Sequence, residues 1–104
     1  MIEPRIVFTD AAIADILEQA DWYEDQADAN RATRWDRAVT TTLLRMLKNP
    51  RSGAPCKFKS KELRDLRRVP VSKFEKHLIF YRFEKNELVV LRVVHGARDL
   101  ESLF

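Results

Sequence analysis

At 104 residues, 45% hydrophobic and 34% charged, the chain suffices for a single domain spanning residues 1–104 and is too apolar for wholesale disorder. One cysteine, Cys56, excludes an internal disulfide, no Cys/His cluster has zinc spacing, and no run approaches the ~20 apolar residues of a membrane span. The formal charge of +3 is unevenly spread, with seven Lys/Arg against nine Asp/Glu in residues 1–56 and twelve against seven in residues 57–104, densest in KFKSKELRDLRR (57–68). A basic strip of that kind attracts nucleic acid or an acidic protein, or simply keeps a face solvated.

The opening MIEPRIVFTD has an acidic residue and no long apolar run, so no signal peptide is expected, and a lone thiol fits a reducing cytosol. Arg5–Phe8 follows Pro4 as a β-branched and aromatic run, a first strand. Thr9 or Asp10 then offers an oxygen to cap a helix. Over residues 11–28 the apolar positions Ile13, Ile16, Leu17, Ala20 and Tyr23 have helical spacing. Over residues 31–48 the stripe is Ala32, Trp35, Val39, Leu43, Met46 and Leu47, with Asn30 as its expected cap. So short a break between the two predicts an antiparallel helical hairpin.

Asn49-Pro50 ends the second helix, because proline disfavours helical geometry in the residue before it. Residues 51–61 read as a polar loop. Residues 66–72 read as a strand in which Pro70, lacking an N–H, demands an edge or a bulge. Residues 77–84 and 87–95 are the strongest strands, joined by Lys85-Asn86, where asparagine tolerates the positive φ of a tight hairpin. Both are apolar on alternating faces, so both faces must be covered. One face takes the helical hairpin; the other meets the C-terminal segment or another protein. The expected fold is α+β, ordered β-α-α-β-β-β, a helical hairpin on a small, mostly antiparallel twisted sheet with a short C-terminal tail.

This order, together with LRDLRRVPV, the strand HLIFYR (77–82) and the ending VLRVVHGARDLESLF, resembles the ParE branch of the RelE/ParE superfamily of toxins from bacterial toxin–antitoxin pairs. The resemblance runs from Ile6 to Phe104. It implies a growth-inhibitory toxin, active in the cytoplasm and neutralised by a cognate ParD-like antitoxin. ParE-type members poison DNA gyrase, whereas RelE-type members cut messenger RNA on the ribosome.

The residues discriminate between these classes. RNA cleavage needs a group to activate the 2′-hydroxyl, an acid for the leaving oxygen and cations for the phosphate. Aligned on HLIFYR, the place of the RelE-type strand arginine holds Leu78, the lysine places fall near Val69 and Val71, and the tyrosine's place holds Phe104. The post-sheet arginine persists as Arg98. The reading is therefore a binding toxin without catalytic residues, metal or cofactor, and the nuclease is the alternative, for which His77, His95 and Tyr81 would be the titratable groups. The blander expectations are a surface position for His77, a structural hydrogen bond for His95, core packing for Tyr81, and a turn-capping ion pair for Arg98 and Asp99. Gly96 lets the chain leave the sheet sharply.

Trp22 and Leu44 lie off their helices' apolar stripes, as contacts for a partner would. Within the resemblance, Trp22, Trp35 and Leu44 are candidate antitoxin anchors, with Arg64, Arg67 and Arg68 meeting an acidic antitoxin segment. His95, Arg98, Asp99 and Phe104 are the candidate target-binding residues, with Leu100, Leu103 and Phe104 expected to pack on the second sheet face. DNA contact is expected only through the antitoxin.

Overall fold

The computed structural model describes residues 3–96 and 101–104. Strand β1 (Arg5–Phe8) leads into helices α1 (Asp10–Gln26) and α2 (Ala29–Lys48), followed by β2 (Ala54–Pro55), β3 (Arg67–Val71), β4 (Phe74–Glu84) and β5 (Glu87–His95), with 3₁₀ turns at Lys61–Leu63 and Glu101–Leu103. The expected α+β architecture is present. The two-residue β2, inside the stretch read as a polar loop, was not anticipated; it is visible only through its pairing with Arg67 and Arg68.

The helix caps follow from oxygen-bearing side chains in extended backbone. Thr9 Oγ1 accepts from Ala12 N at 3.1 Å and donates to the Leu91 carbonyl at 2.8 Å, tying the start of α1 to β5. Asp28, not Asn30, caps α2: its Oδ1 accepts from Arg31 N at 2.7 Å, whereas Asn30 already lies in the first turn. The α1 stripe expected from spacing faces the sheet only in part, which is a correction: the contact falls on Ala12, outside that stripe, and not on Ile13 or Leu17. Ala12 and Tyr23 are buried, with Ile16 and Ala20 against the core, while Ile13 and Leu17 remain 44% and 58% exposed. Alanines at the contact let the helix approach the sheet closely.

The sheet order is β1-β5-β4-β3-β2, parallel between β1 and β5 and antiparallel elsewhere. Lys85 and Asn86 both have positive φ, 50° and 62°, as the tight β4–β5 turn requires. The register shifts between Pro70 and Val71, where Pro70 cannot donate to the ladder. A second shift, between Phe80 and Tyr81, leaves Leu91 as the additional residue on β5. On β4 the ordinary alternation puts Phe80 in one core and Tyr81 in the other, while on β5 the extra residue lets Val90 and Val93, three apart, both face the larger core.

The larger core lies between the helices and the sheet, built on Trp35, Leu43, Ile79, Tyr81, Leu88 and Val90. The smaller occupies the opposite sheet face, where Leu63, Leu66, Phe80 and Val94 are covered by Phe58 and by Leu103 of the C-terminal turn. Both faces of the central strands are thus covered, as their two-sided apolar pattern demands. None of the described helices is long and apolar enough to cross a membrane.

Candidate partner-binding surfaces

Trp22 and Leu44 stand on the solvent side of the hairpin, 55% and 51% exposed, in keeping with their off-stripe positions. Ile13 and Leu17 are exposed as well, on a different side of α1 from Trp22. Trp35 is a correction: it is fully buried, its Nε1 donates to the Ile16 carbonyl at 3.1 Å, and its ring meets Tyr23, Phe74 and His77. Its position on the α2 stripe makes it a core residue that clamps α1 to α2, out of reach of a partner.

Arg64 and Arg68 are exposed. Arg67 is a second correction, since it is half-buried and its Nη1 donates to the carbonyls of Arg51 and Gly53 at 3.0 and 2.8 Å. The same loop is held from beneath by Tyr81, whose hydroxyl donates to the Pro50 carbonyl at 2.7 Å and accepts from Gly53 N at 3.0 Å. Tyr81 is wholly buried, as its core role required, and burial raises its pKa above the ordinary phenol value. Cys56 is likewise buried, which raises its thiol pKa.

His77 is half-buried rather than on the surface. Its ring packs edge-on against Trp35 at 4.9 Å and against His95, its cross-strand partner, at 5.4 Å. Desolvation lowers its pKa, and the His95 imidazole lowers it further. His95 itself is exposed. The pair sits in an open groove of ≈ 810 Å³, walled by Asp15, Glu18 and Trp22 on α1 and by the start of β4.

Asp15 and Arg92 form a contact that the sequence reading missed. Asp15 accepts from Arg92 Nε at 2.7 Å, from Arg92 Nη2 at 2.9 Å and from Val93 N at 2.9 Å, so one carboxylate fastens α1 to the open edge of β5. These hydrogen bonds raise the pKa of Arg92. Arg92 Nη1 also donates to the Leu103 carbonyl at 3.3 Å. The signal was present: Arg92 is a lone charge within LVVLRVVH, and a charge in a buried strand needs a partner.

The C-terminal turn is held at three points. Glu101 Oε1 accepts from Lys59 N and Ser60 N at 2.6 and 3.3 Å, the Leu103 carbonyl meets Arg92, and the Phe104 ring lies against Phe58 and Phe80. Phe104 remains 38% exposed, so one side is packed and one is open. The expected packing of Leu103 and Phe104 on the second sheet face is present. Arg98, Asp99 and Leu100 lie outside the described residues.

At the places compared with RNA-cleaving toxins, Val69 and Val71 are buried beneath the helices and Leu78 packs against the smaller core. Among the described residues, no group of three or more His, Cys, Asp and Glu side chains is placed to hold a metal ion.

A helical hairpin packed on a five-stranded, mostly antiparallel sheet defines a small α+β protein with the strand-helix-helix-strand order of small toxin folds. The chain belongs to the ParE toxin family of type II (parDE) toxin–antitoxin systems, whose model matches residues 6–100. Solved structures share the fold at low identity. A chain of the chromosomal ParDE toxin–antitoxin system from P. aeruginosa is 15% identical with a TM-score of 0.72, covering 88% of this chain and 95% of that one. A YoeB/ParE toxin from Agrobacterium tumefaciens is 12% identical with a TM-score of 0.58, covering 88% and 96%. A conserved hypothetical protein from Helicobacter pylori, solved in solution, is 15% identical with a TM-score of 0.52, covering 97% and 99%. A sequence search of curated proteins finds no match.

Proposed function

We propose that this ParE-family toxin arrests growth by binding DNA gyrase in the cytoplasm, that a ParD-like antitoxin encoded beside it neutralises it, and that it cleaves no RNA. One observation carries the choice of mode. The positions where RNA-cutting relatives bear cations and a hydroxyl hold Val69, Val71, Leu78 and Phe104, all apolar and all engaged in one or other core. Aliphatic and phenyl groups neither neutralise a phosphate nor exchange a proton, so general acid–base chemistry has no agent at these positions. Binding needs only accessible complementary surface, which Trp22 and Leu44 offer to the antitoxin and the open side of Phe104, with His95, offers to the target. Contact with DNA would then be indirect, through the antitoxin.

The test is to induce the chain alone and follow plasmid supercoiling and replication beside protein synthesis. Altered supercoiling and blocked replication, with translation initially intact, are expected. Early translation arrest with codon-specific cuts in messenger RNA would establish the nuclease instead.

A further inference from the structure

The helix-facing side of the β4–β5 hairpin changes chemistry at its open end. One pair inward, Ile79 faces Val93, an apolar contact within the larger core. At the last pair, His77 faces His95. Gly96 N donates to the Lys76 carbonyl at 2.7 Å, which makes Lys76 and Gly96 the hydrogen-bonded pair. His77 and His95 are then the adjoining non-hydrogen-bonded pair, the kind whose side chains stand closest across a sheet. Their ring centroids are 5.4 Å apart, with the planes at 77°.

That separation has a meaning in coordination chemistry. A zinc–nitrogen bond of about 2.0–2.1 Å puts an imidazole centroid about 3.2 Å from the ion. Two such rings at a tetrahedral angle have centroids about 5.2 Å apart, against about 4.5 Å at the right angle of a square-planar ion. The observed 5.4 Å lies beside the tetrahedral value. His77 is ordered in advance by the fully buried Trp35, whose ring meets it edge-on at 4.9 Å. His95 is exposed, so its ring can turn to aim a nitrogen. A ligating histidine uses one nitrogen and keeps the other for a hydrogen bond. Both rings border the open groove of ≈ 810 Å³, which admits an ion and its water.

We infer that His77 and His95 together bind a divalent, imidazole-preferring metal ion such as zinc across the open end of the β4–β5 hairpin. Among the described residues, no third His, Cys, Asp or Glu is placed to join them, so water completes the coordination. Asp15, on the groove wall, is committed to Arg92. With half the protein ligands of a structural zinc centre, the pair should hold zinc with a Kd of about 1–200 µM. The bound ion would fasten β5 to β4 just before Gly96.

The test titrates zinc chloride into the untagged, metal-free full chain at neutral pH, followed by calorimetry and by nitrogen NMR of the histidine rings. One ion per chain is expected, with ring-nitrogen shifts in both histidines and slower exchange of the Gly96 N–H. H77N and H95N should each weaken zinc binding at least ~10-fold. Magnesium chloride, a hard cation that prefers oxygen ligands, should shift neither ring. H77N also loses the Trp35 contact, so melting curves accompany it. H95N alters an exposed residue and decides the matter alone if H77N melts early. Zinc affinity unchanged in H95N, shifts confined to one ring, or no saturable binding below about 1 mM would each overturn the inference.

Discussion

The Tyr81 hydroxyl sits 3.0 Å from the Gly53 nitrogen, across 28 residues of sequence, and a Cβ built on Gly53 would lie 2.3 Å from that oxygen. The 50–53 loop can close over β4 only because residue 53 has no side chain. Tyr81→Phe removes the acceptor and leaves a buried N–H unpaired, and should lower stability by about 1–3 kcal/mol. Gly53→Ala forces the ring or the loop to move and should cost at least about 1–3 kcal/mol. Chemical denaturation of both variants checks this; a neutral Gly53→Ala would show that the loop yields freely.

Asp15 holds both the Arg92 side chain and the Val93 N–H, with side chains 12% and 21% exposed for Asp15 and Arg92. Asp15→Ala strands a largely desolvated guanidinium and an edge amide. A loss of about 2 kcal/mol is expected, below the figure for a fully buried pair because some solvent remains. Because Arg92 also reaches the Leu103 carbonyl, amide exchange in residues 101–104 should quicken in the same variant. Unchanged exchange there would separate the tail from this ion pair.

Trp22 is more than half exposed and touches the chain through an edge contact with Tyr23. Trp22→Ala should leave the melting temperature nearly unchanged while weakening antitoxin binding ~10-fold or more, as expected of an aromatic anchor. Calorimetric titration with the antitoxin decides it, and equal affinity removes Trp22 from the interface.

Burial and the neighbouring His95 lower the pKa of His77 below its ordinary 6.5. The unfolded chain therefore binds a proton more readily than the folded one, so folding stability is full above about pH 6.5 and falls as pH drops below it. His77→Asn should flatten the loss between about pH 7 and 5. Melting curves across that range test the sign; greater stability at the acid end would reverse it.

Deleting residues 101–104 removes the Glu101 acceptor from Lys59 and Ser60 and the Phe104 ring from Phe58 and Phe80. Growth arrest should be lost while the helical hairpin and its core persist, measured by colony formation beside circular dichroism. A truncated chain that folds and still arrests growth makes the tail incidental.

Local chemistry was enough to read the element order apart from the two-residue β2, the Lys85-Asn86 turn, the need for an edge or a bulge at Pro70 and the outward positions of Trp22 and Leu44, because each depends on periodicity or backbone preference within a few residues. The apolar occupants of Leu78, Val69, Val71 and Phe104, which argue against RNA cleavage, were equally plain as letters. Tertiary structure alone decided that Trp35 is core, that Arg67 is occupied by its own loop, and that His77 is wedged between Trp35 and His95. It also decided that Ala12 faces the sheet while Ile13 and Leu17 of the expected α1 stripe do not, and that Asp15 meets Arg92 across 77 residues. Spacing defines a helix face but not its neighbour, and a charged side chain does not name its partner. Those choices belong to contacts between segments far apart in sequence, which exist only once the sheet has brought them together.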